Sequence, residues 1–266
     1  LTQREKVTYW VYPPTLYNAL PMMPNFKDYD LSSLKKCISF GGGLPKVTLE
    51  RWAAINPNLE WRNYYGQTES SPLGTTSIPE TFNEKMESIG IPDLTATIRI
   101  VDSDGREVPV GEVGEIVMRS PAVMKGYFKD EAKTEETLRG GWLHTGDLGR
   151  MDEDGYFYFV DRIKDMIKSG GENVSSLEVE GVLMRHPKVA AAAVIGLPDE
   201  YWGEAVSAVI VPRPGQSVTP EEVIGFCKEQ MAGYKVPKRV FIADSLPMTA
   251  SGKVLKRQLR EQYVGK

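Results

Sequence analysis

Histidine and cysteine are scarce in this chain of 266 residues: there are two of each, and neither pair is close in sequence. Two histidines, His144 and His186, cannot make the paired-histidine helix of a zinc hydrolase. Cys37 lies in the apolar run Lys36-Cys37-Ile38-Ser39-Phe40 and Cys227 in a helical-looking stretch. Two buried free thiols in a reducing cytoplasm are expected, not a disulfide scaffold. No apolar run approaches the ~20 residues that a membrane helix needs. Positive charge is not in excess: 32 Lys+Arg against 36 Asp+Glu gives a net charge of −4, so no nucleic-acid partner is implied. The phosphate loop of P-loop proteins is missing, because Pro247 stands where Gly252-Lys253 would need its first glycine. Gly41-Gly42-Gly43 does not extend to a dinucleotide fingerprint, because Lys46 occupies the last glycine position. No GxSxG elbow occurs. Protease, dehydrogenase and zinc-hydrolase chemistry thereby lose their main support.

What is present is an ordinary globular composition, 41% hydrophobic and 26% charged, which excludes a disordered chain. The length suits one or two domains. Residues 7–24 carry Pro13, Pro14, Pro21 and Pro24, which interrupt any long helix. Ser33 to Phe40 reads as a strand running into three glycines, and Leu44 to Ile55 has helical spacing. Glu60 to Tyr65 is a second short strand. Between Ser88 and Val160 short alternating runs (Thr95–Val101, Glu115–Arg119, Tyr156–Val160) are separated by turns such as Asp102-Ser103-Asp104-Gly105, which predicts an all-β subdomain closing into a barrel. Beyond Arg162, Val174–His186 and Pro220–Gln230 read as helices, Val189–Leu197 and Ala205–Pro212 as strands, and a final helix follows Ser251-Gly252-Lys253. The expected boundaries are 1–161 (an α/β segment 1–87 and a β subdomain 88–161) and a small α+β domain 162–266. The first residues, Leu1-Thr2-Gln3-Arg4-Glu5-Lys6, form neither an initiator methionine nor a signal peptide, and read as a cut from a longer chain.

Four glycine-bearing segments carry candidate chemistry. Gly41, Gly42 and Gly43 end a strand, where α/β sheets bind ligands and bare backbone permits close approach; a plain tight turn is the alternative. Tyr65-Gly66-Gln67-Thr68-Glu69 also leaves a strand and combines an aromatic face, a hydroxyl and a carboxylate able to hold a hard divalent cation. Thr145-Gly146-Asp147 places a carboxylate between apolar neighbours, suited to sugar hydroxyls or equally to capping a turn. Pro247 to Lys253 ends in a lysine that either is solvated or supplies a mobile cation to phosphate charge. His144 reads as a packing residue, not a base.

In this order and spacing, the four segments resemble the adenylate-forming superfamily, which includes acyl- and aryl-CoA synthetases, peptide-synthetase adenylation domains and luciferases. Tyr65–Glu69 resembles its YGxTE motif, Thr145–Asp147 its TGD motif, Asp161–Asn173 its hinge and glycine loop, and Pro247–Lys253 its terminal PxTxxGK. The resemblance implies that Tyr65 stacks on adenine, with Gly41, Gly42, Gly43 and Gly66 lining the pocket. It implies that Thr68 meets the α-phosphate, that Glu69 helps hold Mg²⁺, and that Asp147 binds ribose with Arg162 beside it and Phe159 flanking the nucleotide. The resemblance also implies that Lys253 bridges carboxylate and α-phosphate, that Lys164 is the hinge, and that Ser169-Gly170-Gly171 borders the coenzyme A channel.

The chemistry implied is ATP-dependent activation of a carboxylic acid to acyl-AMP and pyrophosphate, then displacement of AMP by the CoA thiol. The glycine loops look most like those of CoA ligases, and a fatty acid is the favoured substrate. Aryl-CoA ligation, peptide-synthetase adenylation and a luciferase-like oxygenase remain alternatives, as does a non-catalytic nucleotide-binding fragment. The family's upstream phosphate loop is not in this sequence, so the chain is expected to be the remnant of the large domain plus the small domain, with the N-terminal half of the same protein as its partner.

Overall fold

The computed structural model describes residues 1–249 and 252–265. The chain divides into two compact units, Leu1–Phe159 and Val160–Lys266.

The first unit opens with a single helical turn, α1 (Thr2–Glu5), and strand β1 (Tyr9–Tyr12). Helix α2 (Pro14–Ala19) starts on the proline pair, whose fixed backbone angle suits a first helical position, and Pro21 ends it in a 3-10 turn. Then come β2 (Lys36–Phe40), α3 (Lys46–Ile55) and β3 (Glu60–Tyr65), the strand–helix–strand unit expected from the apolar spacing. Two short strands, β4 (Thr75–Thr76) and β5 (Ile91–Pro92), complete a sheet of order β1-β2-β3-β4-β5. β1, β2 and β3 run parallel, and β4 and β5 are antiparallel to their neighbours.

Alternation along β1 sends Trp10 and Tyr12 into a core with Tyr17, Cys37, Trp52 and Trp61. Trp52 is fully buried, stands edge-on to Trp10 at 5.7 Å, and donates its Nε1–H to the Tyr17 carbonyl at 2.9 Å. The other face of the same strands leaves Tyr9, Val11 and Phe40 exposed.

A second sheet in this unit contains β6 (Thr97–Val101), β7 (Gly114–Arg119), β8 (Leu143–Met151) and the start of β9 (Phe157–Arg162), with helix α4 (Glu131–Thr137) between β7 and β8. Its order is β6-β7-β8-β9, and it encloses Ile98, Ile100, Ile116, Met118 and Leu143. The expected barrel does not form. Four strands are too few to wrap around a filled interior, and among the described residues no ladder joins β6 to β9.

The second unit is built on a long hairpin, β12 (Val189–Asp199) and β13 (Gly203–Pro212). The short hairpin β10 (Ile167–Ser169) and β11 (Glu172–Val174) pairs with the start of β13, and β14 (Arg239–Ile242) runs parallel to its middle. Helices α5 (Ser176–Leu183) and α6 (Pro220–Gln230) supply Val179, Leu183, Val223 and Cys227 to one face, meeting Val194, Val206 and Ala208. Helix α7 (Lys256–Tyr263) supplies Leu259 and Tyr263 to the other, meeting Ala193, Ile195, Leu197 and Val209. A sheet covered on both faces explains why β12 and β13 read as unbroken apolar runs. Each fully buried Ile or Leu there contributes about 1.5–3 kcal/mol. No helix among the described residues is long and apolar enough to cross a membrane.

Candidate functional site

In the first unit the parallel pairing of β2 and β3 sets Phe40 opposite Tyr64. Gly41 and Tyr65 therefore leave neighbouring strands at their C-terminal ends, where open α/β sheets take ligands. Gly41 is left-handed (φ 77°), a Cβ at Gly42 would touch Pro14 at 3.5 Å, and one at Gly43 would meet nothing within 4 Å, so open space lies beside Gly43. Gly66 is different. A Cβ there would lie 1.8 Å from the Pro72 carbonyl oxygen, so only glycine lets the chain double back at this point.

That return is a single 3-10 turn, Thr68–Ser70, closed by Gln67 and Ser70. The Gln67 N–H donates to Ser70 Oγ at 3.0 Å, and the Ser70 N–H to the Gln67 carbonyl at 3.0 Å. The turn leaves Thr68 exposed and Glu69 half-buried. Glu69 Oε1 accepts from the Tyr127 hydroxyl at 2.7 Å. Burial, then this carboxylate, push the Tyr127 phenol above its ordinary range.

Asp147 is buried in β8, directly after Gly146 (φ 70°). Its Oδ2 accepts from the Tyr65 hydroxyl at 2.8 Å and from Gln67 Nε2 at 3.0 Å. Gln67 also donates to the Thr145 carbonyl at 2.8 Å. The Tyr65 ring lies 6.4 Å from Phe159 at an interplanar angle of 45°. Behind the turn, Glu115 holds it in place: Oε1 accepts from the Gly146 N–H at 3.0 Å, and Oε2 pairs with His144 Nδ1 at 2.7 Å. His144 is thus a support for the Asp147 turn.

The structure therefore joins two motifs, Tyr65–Glu69 and Thr145–Asp147, through side chains. Gln67, Tyr127 and Glu115 are parts of this arrangement that sequence reasoning passed over. Gln67 sat inside a motif as its variable position. Glu115 was read only as the start of the strand Glu115–Arg119, and Tyr127 belongs to none of the four segments.

The remaining candidates lie in the second unit. Asp161 is buried, and its Oδ1 accepts the Arg162 N–H at 2.8 Å, while the Arg162 and Lys164 side chains are exposed. Ser169 pairs with Glu172 across the β10–β11 hairpin, so Gly170 and Gly171 form its two-residue loop. Both have positive φ (61° and 85°), the geometry of a type I′ turn. The Ser169 hydroxyl is buried and finds no hydrogen-bond partner among the described residues.

Gly170 donates its N–H to the Trp202 carbonyl at 2.8 Å, and a Cβ there would press to 2.9 Å from the indole. Lys238 Nζ stands 4.7 Å over the same indole, and burial lowers that lysine's pKa. Trp202 and Lys238 were also missed, since neither belongs to a motif.

Lys253 is exposed in a tight loop: Thr249 N–H donates to its carbonyl at 2.8 Å, and its own N–H to Thr249 Oγ1 at 3.0 Å. Ala250 and Ser251 of this motif lie outside the described residues. No cluster of three or more metal-binding side chains occurs among the described residues.

Comparison with known proteins covers both units. The sequence matches the family described as AMP-binding enzyme over residues 1–128 and its AMP-binding enzyme C-terminal domain over residues 178–253. A feruloyl-CoA synthase of Amycolatopsis sp is 42% identical over 98% of this chain and 53% of that protein. A long-chain-fatty-acid–CoA ligase of Escherichia coli O6:H1 is 42% identical over 95% of this chain and 44% of that protein. Among solved structures, o-succinylbenzoate CoA synthetase (MenE) from Bacillus subtilis, in complex with its acyl-adenylate intermediate, superposes with a TM-score of 0.87 at 37% identity, over 100% of this chain and 53% of that one. The amide bond synthetase McbA from Marinactinospora thermotolerans gives 0.88 at 34% identity, over 99% and 53%. The chain spans about half the length of the curated relatives it matches. Two motifs far apart in sequence but bonded in space, and a match running through both units, lead to one statement: this chain belongs to the AMP-binding enzyme family.

Proposed function

We propose that the chain is the C-terminal part of an ATP-dependent acyl-CoA ligase, which converts a carboxylate and ATP to acyl-AMP and pyrophosphate and then passes the acyl group to the thiol of coenzyme A. The observation that carries this reading is the Tyr65–Asp147 hydrogen bond at the C-terminal edge of the parallel sheet. Tyr65 and Gln67 fix the orientation of the Asp147 carboxylate, as an acceptor for ribose hydroxyls requires. The Tyr65 and Phe159 rings and the bare backbone at Gly41–Gly43 and Gly66 supply flat apolar surface for adenine.

Thr68, exposed on its turn, faces the α-phosphate. Glu69 is the residue that would hold Mg²⁺. A single carboxylate steadied by Tyr127 fits that ion, which takes one or two carboxylates together with substrate phosphates. Lys253 places a mobile cation on the developing charge, and Arg162 stands beside the ribose. Lys164 is the pivot between the large domain, ending near 161, and the small domain that follows. The Ser169-Gly170-Gly171 turn borders the channel for coenzyme A.

The uncovered sheet face at Tyr9, Val11 and Phe40 supports an upstream region that packs on it, because parallel sheets are normally covered on both sides. The relatives' names support both a long-chain fatty acid and an aryl acid such as a ferulate, and the fatty acid is preferred. The two free buried thiols, pushed up by burial to about 12 (Cys37) and about 11 (Cys227), support a reducing cytoplasm.

The test is calorimetric titration of this chain with AMP, alongside Asp147→Ala. Saturable binding lost in the variant is the expected result. Equal binding by both proteins overturns the nucleotide assignment. A panel of fatty and aryl acids, assayed as acid-dependent pyrophosphate exchange by the full-length protein, then fixes the substrate class.

A further inference from the structure

The loop that carries Lys253 is not an independent tether. Besides the two Thr249 bonds, the Leu255 N–H donates to the Pro247 carbonyl at 2.8 Å, and Met248 bridges Val254. Helix α7 begins three residues after Lys253. It is anchored by Leu259, which is buried against β12, and by Tyr263, whose ring stacks on Phe241 at 4.4 Å. The position of the lysine loop is therefore set by the position of α7.

One face of α7 also grips the linker 161–165. Lys256 and Arg260 are one turn apart and project to the same side. Arg260 donates to Asp165 Oδ1 at 2.8 Å and to the Lys164 carbonyl at 3.3 Å. Lys256 Nζ donates to Ser176 Oγ at 2.6 Å and pairs with Glu180 Oε1 at 2.8 Å. Ser176 in turn gives both its N–H (2.6 Å) and its hydroxyl (2.7 Å) to Asp161 Oδ2. One helix thus reaches the linker at both ends, directly through Arg260 and by relay through Lys256.

Asp161 and Asp165 are buried, and the Lys256–Glu180 pair is largely so. Withdrawing such charges from water is costly, and burying them gains little net stability over an apolar replacement. What the network supplies is a fixed geometry between linker and helix.

We propose that Arg260 is a positioning residue that fastens the linker at Lys164 and Asp165 to the helix behind Lys253, so that the linker's second half and the lysine loop move as one body. Flexure is then confined to the linker at or before Lys164, where it must release the Asp161–Ser176 bonds and leaves those of Arg260 in place. This rests on the reading of Lys253 and Lys164 given above, and it adds the part that transmits the movement of one to the other.

The test is hydrogen exchange of the 266-residue chain as wild type, Arg260→Gln, Asp165→Asn and the double variant. The expected result is about tenfold faster exchange at Met166 and at Lys253 and Leu255 together in either single variant, the loss expected for one charged hydrogen bond. The double variant should add nothing further, and the β12–β13 amides should stay protected. The charge-swapped pair Arg260→Asp with Asp165→Arg should restore slow exchange at both segments. Unchanged exchange, exchange raised at only one of the two segments, or additive effects of the two changes overturn the proposal.

In the full-length protein, Arg260→Gln should lower the kcat of acyl-AMP formation about tenfold, with KM for ATP nearly constant. The failure of the underlying reading looks different: Lys253→Ala would leave acyl-AMP formation intact, and the exchange data would still decide the clamp.

Discussion

Tyr65 gives its hydroxyl hydrogen to Asp147 across 2.8 Å, although 82 residues separate the two in sequence. The bond ties the end of a parallel strand to a bulged turn in a different sheet. Tyr65→Phe keeps the ring and removes the bond. AMP affinity should fall about tenfold, the value of a hydrogen bond to a charged group. Titration calorimetry measures it, and an affinity equal to wild type would show that the bond serves only the fold.

Gly66 is enforced by contact with backbone. Gly66→Ala puts a methyl group 1.8 Å from the Pro72 oxygen, a distance that no side-chain movement relieves. The 3-10 turn must open, and the first unit should lose about 3 kcal/mol, the upper end for overpacking. Urea unfolding followed by tryptophan emission reads the loss. A midpoint within error of wild type would contradict the geometry of the turn.

At Gly170 both backbone and packing resist a side chain. The residue sits at φ 61°, and a Cβ meets the Trp202 ring at 2.9 Å. Gly170→Ala should cost about 1–2 kcal/mol from the left-handed conformation alone. In the full-length protein it should slow thioester formation from supplied acyl-AMP more than it slows adenylation. Equal slowing of both half-reactions would separate this turn from the coenzyme A step.

Asp199 gives a pH dependence of known sign. The Trp202 N–H, then the Tyr201 N–H and Arg239, hold its carboxyl below the ordinary carboxylate range against an opposing effect of burial. Its folded pKa is depressed, so its stabilising contribution is complete above about pH 3.9, the unfolded value, and is lost as the pH falls through the folded value. Asp199→Asn should lower the melting temperature at neutral pH and match wild type in strong acid. A constant difference across the acid range would contradict the assignment.

Legibility from sequence followed the locality of the signal. Strand β3 and helix α6 lie where their residues predict, Glu60–Tyr65 and Pro220–Gln230, because strand composition and a Thr219–Pro220 start are local cues. The helix expected over Val174–His186 is shorter, Ser176–Leu183. Val174 belongs to β11, and the Ser175 hydroxyl caps the helix by accepting the Glu178 N–H at 3.3 Å. The β10–β11 hairpin escaped notice because three-residue strands give no periodicity.

Closure of the β subdomain was not legible either, since pairing between the first and last strands depends on partners remote in sequence. At the site, the glycines and the motif carboxylates Glu69 and Asp147 announced themselves. Gln67, Tyr127 and Trp202 did not, because each matters only through a contact made by another segment.

Strand β1 pairs with β2 on one side, and among the described residues it has no partner on the other. Its Tyr9 and Val11 side chains add an apolar surface to that unpaired edge. An unprotected edge of this kind is a template for a second molecule. Handled by itself, the chain therefore has a concentration ceiling. Dilution and low temperature of storage, not added salt, govern how long it stays monodisperse, since salt strengthens apolar association while it screens the repulsion between like-charged copies.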